Sequence, residues 1–250
     1  MKYLDFDKLK LIDEQEFKKT KPFPWMGIQG ALTPSGFDRL VQEWPSLEQF
    51  RTTIGEYNKA GAVPHDRYEL RSEVRPKLSQ GWQEFIKELN GREYRTFLQR
   101  MLGCKRFELR FQWHVSLENS AVSPHADSSL KIGNHLLYFN TKEDWNESWG
   151  GELELYDSEE KFPDNSAPLR ESFARIFSYP IIDNRSVIFA RTNHSWHGVK
   201  ALEAPEGAHR KLFTVVIEKP RLLKTRIKDF LLDTMRGQPR SIYGRNVINK

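Results

Sequence analysis

The chain has 250 residues, a formal charge of +5, 38% hydrophobic and 12% aromatic content, and a single cysteine, Cys104. That is enough chain for one sizeable aromatic-rich core, and it excludes a disordered polymer and an internal disulfide framework. The first residues carry charges where a signal peptide needs an apolar run, and no run approaches the ~18 apolar residues of a membrane span, so a cytoplasmic protein that does not engage a membrane is expected.

Residues 1 to about 32 show little periodicity, and Pro22, Pro24, Gly27 and Gly30 mark them as extended or looping chain. Thr33-Pro34 reads as an N-cap followed by proline at the first helical position, with Phe37, Leu40, Val41 and Trp44 at helical spacing. Pro45 ends that helix, and Ser46 with Gln49 reads as the cap of another short one. Residues 52 to 80 are mixed and polar and are expected to be mostly loop. Trp82, Phe85, Ile86 and Leu89 form one helical stripe, stopped by Asn90-Gly91. Tyr94, Phe97, Leu98, Met101 and Leu102 form the next, stopped by Gly103.

At Phe107 the period changes to two. Leu109, Phe111, Trp113 and Val115 alternate with Glu108, Arg110, Gln112 and His114. Further strands are expected within Leu130 to Asn140, Glu152 to Tyr156, Ser186 to Ala190 and Leu212 to Ile217, with an acidic loop from Asp157 to Asn165. Short strands at this spacing, with no helix between them, indicate a sandwich or barrel. After Pro220 the helical period returns. Lys219 to Lys250 carry nine Lys/Arg against two Asp, so the basic balance belongs to this end and the rest of the chain sums to −2. We read it as a solvated basic helix and tail, and do not assign nucleic acid as its partner. The expected fold class is β-rich α+β. Within a single domain of 1–250, residues 1–106 form a helical support region, 107–220 the β core and 221–250 the basic C-terminal helix and tail.

The chemistry-bearing residues lie in the strand-rich part. His125 and Asp127 are two apart, which on an extended strand places both on one face. With a histidine from the Thr192–Val199 stretch, either His194 or His197, they supply two imidazoles and one carboxylate. That set suits a non-haem ferrous iron with open positions, whereas a structural zinc site closes its shell with four ligands, commonly including cysteine. Arg210 opens the last core strand. A buried guanidinium there needs an anionic partner: a protein carboxylate such as Glu218 or Glu152, or the distal carboxylate of a bound 2-oxo acid. Tyr138 can add a hydroxyl to the same group.

His125-x-Asp127, Tyr138-x-Asn140, Trp145 followed by Gly150-Gly151-Glu152-Leu153, His197-Gly198-Val199 and Arg210-x-x-x-Thr214 together resemble the prolyl 4-hydroxylase-like family of iron(II)/2-oxoglutarate dioxygenases over roughly residues 107 to 218. The resemblance implies a double-stranded β-helix, or jelly-roll, core with N-terminal supporting helices and a C-terminal helix. It implies Fe(II) held by His125, Asp127 and His197, which are also the catalytic residues, and 2-oxoglutarate and O2 as cosubstrates with ascorbate as an accessory reductant. It implies that Arg210, Tyr138 and Thr214 bind the 2-oxoglutarate carboxylate. The segment between His197 and Arg210 is longer than in many members, which leaves Lys211 or Lys200 as alternative cations. The implied reaction is hydroxylation of a C–H bond in a small molecule, amino acid or peptidyl residue, with release of succinate and CO2. An aspartate at position 127 favours hydroxylation over halogenation. Substrate contacts are expected from Arg110, Gln112, His114, Trp149, Arg175 and Trp196. The competing readings are a cupin-type metal enzyme without 2-oxoglutarate and a non-catalytic jelly-roll binding module.

Overall fold

A computed structural model of the chain describes residues 1–53, 66–158, 162–163 and 166–220. Five helices precede the strand-rich part: α1 (Phe6–Leu11), α2 (Glu14–Lys19), α3 (Pro34–Gln42), α4 (Gln80–Leu89) and α5 (Arg92–Leu102). Two antiparallel sheets follow from eleven strands. The larger one contains β1 (Trp25–Gln29), β2 (Arg51–Thr53), β3 (Arg67–Arg71), β4 (Glu108–Ser116), β6 (Lys131–Tyr138), β9 (Arg185–Ala190) and β11 (Arg210–Glu218), in the order β1-β9-β6-β11-β4-β3-β2. The smaller one contains β5 (Val122–His125), β7 (Leu153–Asp157), β8 (Arg175–Tyr179) and β10 (His197–Val199), in the order β5-β10-β7-β8.

Strand parity sorts the side chains of the larger sheet into two layers. Phe111, Trp113 and Val115 of β4, with Phe213, Val215 and Ile217 of β11, face the helices. There they form the main core with Trp82, Phe85, Tyr94, Phe97 and Met101 of α4 and α5. Trp82 sits at its centre, with its ring 5.0 Å from Phe213 and 5.3 Å from Trp113. The opposite parity faces the smaller sheet. Leu136 and Tyr138 of β6, Val187 and Phe189 of β9 and Leu212 of β11 pack there against Leu153 and Leu155 of β7. Two facing sheets with helices on one outer side give the expected jelly roll, and its interior layer holds the site.

The Thr33 cap and Pro34 start are present, the Thr33 hydroxyl accepting from Gly36 N–H. The helices over Trp82 and Tyr94 and the alternating strand through Trp113 also form as expected. Several expectations are corrected. Residues 1–32 are not simply extended: Asp5 and Asp13 cap two six-residue helices, too short for a periodic stripe, and β1 pairs with β9 as an edge strand next to the prolines. The 52–80 stretch contains β3, whose charged Arg-Tyr-Glu-Leu-Arg sequence hides a strand because its inner face is polar. Region 1–106 therefore adds three strands to the helical support. Ser46 caps nothing with its side chain; only a single 3-10 turn, Leu47–Gln49, follows it. The strand expected to carry both His125 and Asp127 is present as β5 but ends at His125, and the strands β8 and β10 were not anticipated as separate elements. The basic segment 221–250 and most of the acidic loop lie outside the described residues.

Candidate active site

β10 lies between β5 and β7, and its first residue, His197, is the register partner of His125, the last residue of β5. That pairing brings the two imidazoles together, with ring centroids 4.3 Å apart. Asp127 is not on the strand with His125, as the two-residue spacing implied. It lies just past the strand end, 5% exposed, where the chain turns toward β6. There Lys131 Nζ donates to its Oδ1 at 2.7 Å and Asn134 Nδ2 to its Oδ2 at 2.6 Å. Ligand atoms of His125, Asp127 and His197 all lie within 4.8 Å of one another.

Each histidine has its Nδ1 3.0 Å from a backbone carbonyl, Ser123 O for His125 and Ser195 O for His197. A carbonyl only accepts, so Nδ1 carries the proton and each Nε2 presents its lone pair. His197 Nε2 is 4.0 Å from Asp127 Oδ2. Burial would push the Asp127 carboxyl up, but the Lys131 ammonium, then the two imidazoles, hold it well below the usual carboxylate range. Two imidazoles oriented by backbone carbonyls and one ionised carboxylate form a donor set that fits a divalent metal with open positions. His194 is exposed on the preceding turn and stands outside this cluster.

Arg210 is 3% exposed. Its Nε donates to Gly151 O at 2.7 Å, and its guanidinium lies 5.2 Å from the centroid of the Tyr138 ring. Gly151 has φ +88°, and a Cβ there would come within 3.1 Å of Arg210 Cδ, so glycine lets the carbonyl meet the guanidinium. The sequence left Glu218 and Glu152 as possible partners. Glu218 is at the far end of β11, bound to Arg110, and Glu152 acts on Arg210 only through its field. Among the described residues Arg210 makes no ion pair. The alternative cations are engaged, Lys211 by Asp144 at 2.6 Å and Lys200 by Glu203 at 3.3 Å. The Tyr138 hydroxyl is buried without a hydrogen-bond partner. Burial pushes that phenol up to about 12 although the Arg210 charge pulls the other way; the two groups sense each other without closing a sound hydrogen bond. A buried unmatched cation beside an orphaned hydroxyl fits the anionic end of a ligand. Thr214 is buried on the same inner parity, opposite Leu136.

The six expected substrate contacts are scattered. Arg110, Gln112 and His114 share the inner face of β4. Trp149 packs edge-on to Trp145 at 5.5 Å, near Gly151. Arg175 is exposed on β8, an edge strand. Trp196 is turned away, buried on the outer face of the smaller sheet with Tyr156 and Phe173. Sequence reasoning missed Lys131 and Asn134. Their only signal is that Lys131 and Asn134, with His135, are polar in the first half of a strand that is apolar from Leu136 on.

Residues 110–218 match the family model of the 2OG-Fe(II) oxygenase superfamily. No curated protein matches the chain in sequence. Among solved structures the chain is similar to a prolyl-4-hydroxylase from Pseudomonas putida, at TM-score 0.58 and 13% identity over 83% of this chain and 97% of that one. It is similar to a prolyl hydroxylase from Trichoplax adhaerens in complex with a hypoxia inducible factor peptide fragment, at TM-score 0.61 and 16% identity over 85% and 90% of the two chains. It is also similar to HygX from Streptomyces hygroscopicus with nickel, 2-oxoglutarate and hygromycin B bound, at TM-score 0.52 and 13% identity over 78% and 82%. These likenesses carry the double-stranded β-helix fold, and the matched segment contains all three clustered donors and Arg210. Residues 110–218 thus match the 2OG-Fe(II) oxygenase superfamily, and these findings support an enzyme of that class, using Fe(II), 2-oxoglutarate and O2.

Proposed function

We propose that the enzyme hydroxylates an unactivated C–H bond of a small-molecule or peptidyl substrate, converting 2-oxoglutarate to succinate and CO2. The observation that carries this reading is the convergence of His125, Asp127 and His197 within 4.8 Å. When bound, iron and 2-oxoglutarate supply the oxidising power for C–H cleavage and oxygen insertion. His125 and His197 donate through Nε2, their rings fixed by Ser123 O and Ser195 O. Asp127 donates one oxygen while Lys131 and Asn134 limit its rotation. A carboxylate at this place, where a small residue would leave room for a halide, supports hydroxylation. Arg210 receives the distal carboxylate of 2-oxoglutarate through its guanidinium fork, with the Tyr138 and Thr214 hydroxyls on the same inner face. Leu136, Leu155, Val187 and Phe189 line the interior and exclude water around it. The compared structures hold a peptide in one case and hygromycin B in another, so both substrate types are compatible with the fold.

The test is anaerobic titration of the protein with ferrous iron and 2-oxoglutarate, followed by succinate measurement on admission of air. Metal-dependent 2-oxoglutarate binding is expected, abolished by Asp127→Ala or His197→Ala and weakened by Arg210→Ala. Absence of 2-oxoglutarate binding by the iron-loaded protein would falsify the reading.

A further inference from the structure

The Asn134 carboxamide meets the donor cluster with one half and leaves the other half unmatched. It lies on β6 two residues before Leu136, which faces the smaller sheet, so it shares that inner face. Its Nδ2 donates to Asp127 Oδ2 at 2.6 Å. An ionised carboxylate only accepts, so the NH2 group is the half that faces Asp127, and the carbonyl oxygen points elsewhere. That oxygen, Oδ1, is buried with no hydrogen-bond partner among the described residues, on a side chain 2% exposed. The bond lengths of the amide keep it within about 5 Å of the Asp127 carboxylate.

Its neighbours on the sheet offer it no proton. The register partners of Asn134 are Phe189 on β9 and Val216 on β11, and both side chains are apolar. Phe189 lies against His197, with ring centroids 4.8 Å apart, so Asn134 borders the donor cluster through Phe189 as well as through Asp127. Lys131 reaches the same face because a register shift follows Ile217 of β11, and its ammonium donates to Asp127 Oδ1 at 2.7 Å. The cosubstrates offer no donor either. 2-Oxoglutarate at neutral pH is a dianion of acceptor groups, and O2 has no hydrogen. A buried carbonyl left unmatched is costly, and native interiors rarely keep one. Substrate entry also expels the solvent around it. The component of the reaction left to supply a donor is the substrate.

We propose that Asn134 Oδ1 accepts a hydrogen bond from the substrate, and that the substrate is a small alcohol, amine or amino acid with an O–H or N–H close to the carbon that is oxidised. This rests on the 2-oxoglutarate-dependent hydroxylase reading. One side chain then serves two ends: Nδ2 orients Asp127, and Oδ1 selects the substrate. The selection works by exclusion. A molecule of similar shape without the donor buries the carbonyl unmatched, and sites that bond a substrate O–H or N–H reject such analogues strongly. A proline within a peptide chain has no N–H of its own, whereas free proline has one.

The test measures binding without turnover. The full chain, saturated with ferrous iron and 2-oxoglutarate, is kept anaerobic and titrated by calorimetry with a panel of short-chain alcohols, amines and amino acids. Each is paired with its methyl ether or quaternary ammonium analogue, which keeps the acceptor or the charge but has no donor. A proline-containing peptide is run beside the panel. A donor-bearing member should bind about tenfold or more tightly than its methylated partner, the scale of one buried hydrogen bond. Methylation also adds bulk, and Asn134→Leu separates the two causes. Leucine opens no space and accepts no hydrogen bond, so the gap should close in the variant if the donor matters and persist if bulk does. Retained 2-oxoglutarate binding shows that the variant's site is still assembled; should it be lost, Asn134→Met gives the second reading. Equal binding of the partners, a gap undiminished in the variant, binding of the peptide alone, or no binding by any donor-bearing member overturns the proposal. If the wild-type protein binds no 2-oxoglutarate, the hydroxylase reading itself fails, and that result is distinct from the others.

Discussion

Lys131 Nζ sits 2.7 Å from Asp127 Oδ1, an ion pair in which the two side chains are 9% and 3% exposed. The carboxylate proposed to ligate iron is thus neutralised by the protein before any metal arrives. The pair spans the two sheets' common interior, because Lys131 opens β6 while Asp127 follows the end of β5. Asn134, three residues further along β6 and past a register shift in that strand, donates to the other carboxylate oxygen.

Removing Lys131 should therefore hurt the metal-free protein most. In Lys131→Met the Asp127 charge remains buried without its cation, a loss of about 3–5 kcal/mol for breaking such a pair. A divalent metal restores a positive charge beside the carboxylate. Thermal melts in the presence of a chelator should show a lower Tm for the variant than for wild type. The rise in Tm on adding Mn2+ or Fe2+ should be larger for the variant. An equal metal-induced rise in both proteins would show that Lys131 does not share the carboxylate with the metal site.

Tyr138→Phe separates cosubstrate binding from stability. The hydroxyl is buried and makes no hydrogen bond among the described residues. Deleting it costs no existing bond, and stability should change by less than about 0.5 kcal/mol. If the hydroxyl completes the carboxylate site with Arg210, the KM for 2-oxoglutarate should rise severalfold to tenfold, the worth of one hydrogen bond to a charged group. Urea unfolding and a 2-oxoglutarate titration read the two effects independently. An unchanged KM would remove Tyr138 from the site.

Much of this was legible in the sequence where periodicity was long. The stripe through Trp82 and Phe85, the alternation through Phe111 and Trp113, and the apolar run ending at Ile217 each bury one face on a large core. Hydrophobic burial imposes its period directly on such stretches. The short or polar-faced elements were hidden. α1 and α2 have six residues each and are held by aspartate caps. β3 alternates charged with apolar groups because its inner neighbours are His114 and Gln112. β10 has three residues, and its identity as a strand comes from its two neighbours. For the site, residue type and order pointed to His125, Asp127, His197 and Arg210. Lys131 and Asn134 were not legible, because their meaning arises only when β6 passes beneath the end of β5. Trp196 was misjudged for a related reason. Its neighbour His197 faces inward, so strand alternation sends the indole outward.

His135 supplies a pH dependence of stability. It is fully buried on β6, with Nδ1 2.9 Å from the Tyr94 hydroxyl. Burial pushes its imidazole down to about 3. The unfolded chain takes up the proton below its ordinary value near 6.5, while the folded chain does not until about 3. Stability is therefore fully present above pH 6.5 and falls as the pH drops from 6.5 toward 3. The linkage slope gives a loss of about 2 kcal/mol between pH 6.5 and 5 from this one group. Glu69, held at about 2 because His114, Arg67 and Arg71 together outweigh its burial, keeps its contribution throughout that interval. In His135→Gln the loss between pH 7 and 5, measured by urea unfolding, should be smaller than in wild type by about that amount. Parallel pH profiles for the two proteins would contradict it.

Gly198 tests whether strand spacing sets the metal geometry. It follows His197 on β10, where a Cβ would fall 2.5 Å from Val122 O and 3.0 Å from the Tyr156 hydroxyl. Val122 O belongs to the backbone of β5, so the clash in Gly198→Ala cannot be relieved by turning a side chain; the two strands have to move apart. His125 and His197 are register partners across that same pair of strands, and their Nε2 atoms separate as the backbones do. The bulk of the core is untouched, since Gly198 lies outside the aromatic cluster around Trp82. The variant should keep its far-ultraviolet circular dichroism and a cooperative melt while its affinity for Mn2+ falls by about tenfold or more, the scale for disturbing groups that orient metal ligands. Metal affinity equal to wild type, measured by calorimetry on the folded variant, would mean that the β5–β10 spacing does not control the site.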